Sequence, residues 1–170
     1  MNIKIISVLG YSGSGKTHLI LNAMRLLKKH LSYNLAVIKY IHEHKIDKKG
    51  KDSYRFGEEG AIFSITRNSS YETTIFLKKE LSIEKLVKWL ELSPYKIDLI
   101  FTESFRGLSY PSILCVNNSE DIESQLEENT LMISGLIIKK KDYNSIHSNL
   151  PIFDITEDFQ KFLTLFKITE

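Results

Sequence analysis

Short apolar runs punctuate this chain at strand-like lengths: Ile3–Leu9, Leu35–Ile38, Ala61–Thr66, Thr73–Leu77, Asp98–Glu103, Ser112–Val116, Met132–Ile138 and Ile152–Ile155. Between several of them apolar residues recur every three or four positions. Leu19, Ile20, Ala23, Leu26 and Leu27 do so within Lys16–His30, and Ile83, Leu86, Val87 and Leu90 before Pro94. Ser82 is a suitable N-cap for the latter, although Lys85 stands where a capping box has a carboxylate. An acidic helix over Ser119–Glu128 and a terminal helix over Asp158–Phe166 complete the set. The two runs around the turn-rich Arg67-Asn68-Ser69-Ser70 predict a hairpin at one sheet edge. Strands alternating with helices predict an α/β fold, a mostly parallel sheet flanked by helices on both faces.

Length and charge narrow this picture. With 170 residues the chain is expected to form one domain, residues 1–170. Lys and Arg number 23 against 21 Asp and Glu, so a formal charge of +2 gives no global reason to expect nucleic acid or an anionic membrane as partner. Any anion binding must be local. The opening apolar run is too short to span a bilayer and leads straight into glycines, which predicts a strand rather than a signal and places the protein in the cytoplasm. The single cysteine, Cys115, lies in an apolar run and reads as a core residue.

That local site is Gly10-Tyr11-Ser12-Gly13-Ser14-Gly15-Lys16-Thr17, a match to G-x-x-x-x-G-K-[ST] whose chance occurrence in a chain this long is on the order of one per cent. It follows a predicted strand and opens a predicted helix, the arrangement in which successive backbone N–H groups converge on a phosphate. The fold class sharpens to a three-layer P-loop NTPase. Lys16 is expected to reach the β and γ phosphates and Thr17 to offer its hydroxyl to Mg²⁺, with His18 just behind on the helix. Such sites need a carboxylate at the end of a neighbouring strand. Glu103 closes Leu99-Ile100-Phe101-Thr102 and is expected in the site as metal ligand and catalytic group, whereas Asp98 begins the same strand and belongs at its opposite end. Arg106 is an alternative partner for Glu103.

Two polar stretches hold further candidates. Lys39–Arg55 reads as a surface loop, dense in His, Lys and Asp. Lys39, Lys48, Lys51 and Arg55 suit phosphate, and Asp47 and Asp52 suit metal or water, or the whole run is a solvated charged loop. His42 and His44 flank Glu43 without a third ligand and do not make a zinc site. Lys139-Lys140-Lys141-Asp142 is similar to the N-K-x-D guanine reader with lysine in place of asparagine, so Asp142 either accepts from a guanine edge or sits on a surface turn.

Three blocks together resemble the MobB proteins of molybdenum-cofactor biosynthesis: Val8 through Thr17, then Val37-Ile38-Lys39 leading to Ile46 through Arg55, then Asp98 through Arg106. The middle block, of the form D-x-x-G-K-D-S-[WY] after a V-I-K strand, is the specific one. This chain has Tyr40 where the family commonly has His, Lys49 where it has Pro and Ser104 where it has Gly, and the stretch from Lys39 to Asp47 is about one residue short. The resemblance implies a homodimeric GTP-binding accessory protein with Mg²⁺ and weak hydrolysis. It would work beside a MobA-like molybdopterin guanylyltransferase, with direct contact to molybdopterin left open. The resemblance favours a nucleotide-binding role for Lys39, Lys51 and Asp52 and a metal role for Asp47. A shared dimer edge is expected in the Ala61–Leu77 strands. The rivals are a small-molecule P-loop kinase, against which the scarcity of Arg after Arg55 argues, and a non-catalytic cofactor-binding module.

Overall fold

The first strand, β1 (Lys4–Leu9), buries every residue from Ile5 to Leu9, as a strand covered on both faces must. It sits at the centre of a five-stranded sheet in the computed structural model, which describes residues 3–42, 44–140, 146 and 148–169. Around it lie β2 (Leu35–Lys39), β5 (Leu99–Glu103), β6 (Ser112–Cys115) and β7 (Thr130–Ser134), in the order β2-β5-β1-β6-β7, every neighbouring pair parallel. Parallel pairing requires crossovers, and α1 (Lys16–Leu31) makes the first of them.

The chain forms two compact units, one of Met1–Tyr40 with Ser93–Glu170 and one of Ile41–Leu92. The first unit holds the five-stranded sheet. On one face Ile6, Val8, Leu99, Phe101, Ile113 and Cys115 pack with Leu19, Ile20, Ala23 and Leu27 of α1 and with Phe162 and Leu163 of α5 (Phe159–Leu165). On the other face Leu9, Leu114, Val116 and Ile133 pack with Ile122 of α4 (Asp121–Gln125) and with Ile137. Asp98 lies at the amino end of β5, where it accepts from the Asn34 N–H at 2.9 Å and from Lys96 at 2.7 Å.

The second unit contains α2 (Asp52–Glu58), the hairpin β3 (Phe63–Arg67) and β4 (Thr73–Leu77), and α3 (Ile83–Glu91), whose N-cap Ser82 accepts from the Lys85 N–H. Within it Asp47, a buried carboxylate, accepts from Ser53 Oγ at 2.8 Å and Lys78 Nζ at 2.6 Å. The hydrogen bond from Lys78 is the main influence holding the Asp47 carboxyl below its usual range, and that from Ser53 adds to it.

Five elements differ from the sequence expectation, the first being the run Ile152–Ile155, which forms no strand and holds a single isolated bridge from Ile152 to Ile133. The hairpin is a two-stranded sheet of its own rather than an edge of the main sheet, because β3 and β4 pair only with each other. The stretch expected to be loop up to Arg55 already contains the first turn of α2. The acidic helix shrinks to five residues. The run Met132–Ile138 is not one strand: β7 ends at Ser134, and Leu136–Lys139 forms a 3-10 turn.

Candidate functional site

At the carboxyl end of β1 the chain turns through Gly10, whose φ of +135° is open in practice to glycine. The turn passes so close to β6 that a Cβ there would stand 2.1 Å from the Cys115 carbonyl oxygen and 2.6 Å from Ser14 Oγ. A second glycine braces the loop from the far side. Gly135 follows β7 at φ +94°, its missing Cβ would lie 2.4 Å from the Ser14 carbonyl oxygen, and the next N–H, that of Leu136, donates to that oxygen at 3.1 Å. Sequence reasoning passed over Gly135 by counting it inside an apolar strand; a lone glycine in such a run was the available signal.

Lys16 opens α1 and is buried, its ammonium donating to the carbonyls of Gly10 at 2.8 Å and Tyr11 at 2.7 Å. Burial, the largest influence, lowers its pKa from the ordinary lysine value, with the charge of Glu103 opposing. Thr17 Oγ1 donates to Glu103 Oε1 at 3.0 Å, and Lys39 Nζ lies 3.0 Å from the same oxygen. Strand register explains the meeting. Lys39 and Glu103 are direct partners across β2 and β5, and Val8 is the partner of Glu103 across β1, so all three groups stand at the same end of the sheet. Ser104 then turns the chain at φ +68°, a conformation that glycine adopts freely.

The first unit therefore brings together the loop Gly10–Gly15, Lys16, Thr17, Lys39 and Glu103. Tyr11, Ser12, Gly13 and Thr17 are exposed, and so is His18, whose ring shares a hydrogen bond with the Asn22 amide. Arg106 is not the partner of Glu103: it donates to the Gln125 backbone and side chain and to Glu127. Asp47, Lys51 and Asp52 belong to the second unit. There Asp52 is exposed and 3.7 Å from Arg55, and Lys51 immediately precedes α2. Asp142 and Lys141 lie outside the described residues, while Lys140 donates to Asn118 Oδ1 at 2.6 Å. Burial pushes the Cys115 thiol up to about 12, which leaves it an inert neighbour of the loop.

The residues fit a phosphate and a hard cation. Ser14 Oγ is buried without a protein partner, an arrangement that is costly unless a ligand oxygen or similar group completes it. Two ammonium groups, Lys16 and Lys39, face one carboxylate, an excess of positive charge suited to an anion. Thr17 and Glu103 are two oxygen donors side by side, the small protein share that Mg²⁺ takes when phosphates and water supply the rest.

Comparison with known proteins agrees with this geometry. The family model described as molybdopterin guanine dinucleotide synthesis protein B matches residues 5–138. The chain belongs to the MobB family. The match runs through the phosphate loop, Lys39, Glu103 and Gly135, so every element of the site just described lies inside the MobB region. The molybdopterin-guanine dinucleotide biosynthesis adapter protein of Haemophilus influenzae is 32% identical over 115 residues, covering 66% of this chain and 62% of that protein. A Methanocaldococcus jannaschii relative is 32% identical over 147 residues, 84% of this chain and 56% of its own. The chain thus spans roughly three fifths of the length of these two MobB relatives. In fold it is similar to Bacillus subtilis MobB, with a TM-score of 0.75 at 23% identity over 96% of this chain and 98% of that one. A MobB homologue from Bacillus stearothermophilus gives 0.63 at 18% identity over 98% and 97%.

Proposed function

We propose that this chain binds a purine nucleoside triphosphate with Mg²⁺, GTP in preference to ATP, as a cytoplasmic accessory protein to a molybdopterin guanylyltransferase. The observation that carries it is the meeting of Lys16, Thr17, Glu103 and Lys39 at one end of the sheet, around a glycine loop with a buried unpartnered hydroxyl. The adapter name of the Haemophilus relative supports the setting in molybdopterin guanine dinucleotide formation. Thr17 and Glu103 would hold Mg²⁺, which supplies charge neutralisation at the phosphates. Lys16 exchanges its two loop carbonyls for phosphate oxygens, and Lys39, released from Glu103, adds a second ammonium. Hydrolysis is slow in this scheme. Arg106 is held by Gln125 and Glu127, and Gln125 is buried against it, so neither is placed to stabilise the transferred phosphoryl group or orient water.

Calorimetric titration with GTP and with ATP, each with Mg²⁺, tests the proposal. Tighter binding of GTP by tenfold or more is expected; a clear ATP preference would instead favour the kinase reading.

The same chain is proposed to act as a homodimer. The β3–β4 hairpin is a two-stranded sheet with apolar side chains in the open, Ile65 at 64% exposure and Phe63 at 53% among them. Isolated two-stranded sheets are marginal in water, and unpaired edges invite a further strand. Sedimentation should report a dimer that Ile65→Lys converts to monomer; a monomeric parent at tens of micromolar would end this part of the proposal.

A further inference from the structure

Among the described residues only two buried side-chain oxygens have no hydrogen-bond partner: Ser14 Oγ in the phosphate loop and Asn117 Oδ1. The phosphate reading accounts for the first and not for the second. Asn117 stands two residues beyond β6, just past the carboxyl end of the sheet where ligands of open α/β folds collect. Ile113 and Cys115 of β6 belong to the core on the α1 face, Leu114 and Val116 to the core on the opposite face. Val116 still pairs with β7 through its N–H to the Ser134 carbonyl at 3.0 Å, and the chain bends at Asn117. The distance along the backbone is short. The Val116 N–H, one residue earlier, and the Ser14 carbonyl both crowd the missing Cβ of Gly135, at 3.0 and 2.4 Å.

The surroundings of Asn117 are fixed from two sides. The Ile137 N–H donates to the Val116 carbonyl at 3.0 Å, tying the turn after β6 to the 3-10 turn after β7. Lys140 Nζ closes the same pair of turns by its bond to Asn118 Oδ1. A carbonyl oxygen held buried and unpaired on such a rigid support carries a desolvation penalty of about 1–3 kcal/mol, and an N–H donor from outside the chain removes it.

We infer that Asn117 Oδ1 is the acceptor that reads the N–H edge of the purine base and favours guanine over adenine. Guanine offers adjacent N–H donors at its ring nitrogen and its 2-amino group. Adenine has no ring N–H on that edge. This assignment rests on the nucleotide reading above and places base selection in the turn after β6, apart from the Lys139–Asp142 stretch.

The test is Asn117→Leu, which keeps the size of the side chain and removes the acceptor. Binding of GTP, ITP, ATP and inorganic tripolyphosphate, each with Mg²⁺, is measured on the full chain alongside the parent and Lys16→Ala. GTP and ITP, which share the ring N–H, should each weaken about tenfold, the cost of one lost buried hydrogen bond. ATP and tripolyphosphate should change less than twofold. Thermal stability of the nucleotide-free variant should hold or rise, since an unpaired buried acceptor has been replaced by an apolar group. A purely structural asparagine would lose stability and weaken all four ligands alike, and that result overturns the assignment. An unchanged GTP-to-ATP ratio in Asn117→Leu, with all binding lost in Lys16→Ala, overturns it too while leaving the phosphate site intact. Failure of the parent itself to bind any triphosphate removes the nucleotide reading and this inference with it.

Discussion

Lys16→Ala is expected to weaken Mg²⁺–triphosphate binding about a hundredfold while leaving the fold standing. The size follows from losing two charge-assisted hydrogen bonds to phosphate, roughly 1.5–3 kcal/mol each before compensation. The fold survives because Lys16 lies outside both hydrophobic cores and its ammonium bonds only loop carbonyls. In the free protein it satisfies only the Gly10 and Tyr11 carbonyls, and Tyr11 is on the exposed side of the loop, where water can replace it. Calorimetry and thermal melting of the same sample separate the two effects. An affinity within threefold of the parent would remove Lys16 from the phosphate site, whatever the melting temperature showed.

Gly10→Ala should have the largest effect on stability, a loss of about 2–6 kcal/mol in urea unfolding. Two costs combine: a backbone conformation closed to side chains, about 1–3 kcal/mol, and a methyl forced against the packed backbone of β6, of similar size. The Cys115 carbonyl cannot step aside, since β6 is wholly buried between β1 and β7. Gly13→Ala supplies the contrast. Gly13 also has positive φ, +75°, but nothing lies within 4 Å of a Cβ there, so only the modest conformational cost applies. Equal losses in the two variants would show that the approach of the loop to β6 is looser than described. Nucleotide binding should disappear in Gly10→Ala even at temperatures where the variant stays folded, because the loop can no longer close around Ser14.

The phosphate loop was legible in the sequence because its chemistry is local. Glycines, lysine and threonine are contiguous, and the strand before them and the helix after them each carry their own periodicity. Glu103 was legible for a related reason: a carboxylate directly after the buried run Leu99-Ile100-Phe101-Thr102 sits at the strand's end. Gly135 was not, since its conformation answers to the Ser14 carbonyl, which is 121 positions away in sequence and adjacent only after β6 and β7 have paired. The extent of α2 was missed for the opposite reason. Seven residues that include Gly57 give too short a periodic signal to stand out from the polar stretch before them.

By itself, then, the order of apolar and polar residues determined the parallel α/β sheet, the helix that follows β1 and the glycine loop between them. These depend on neighbours within a few positions, where backbone geometry is fixed by residue type. Which side chains face each other was decided by tertiary structure alone. The register of β2 against β5 sets Lys39 beside Glu103, the crossing of β7 behind the loop demands a glycine, and Asn117 Oδ1 is left buried and unpaired. Each of these depends on strands distant in sequence, paired in one register out of several that the same hydrophobic pattern would allow.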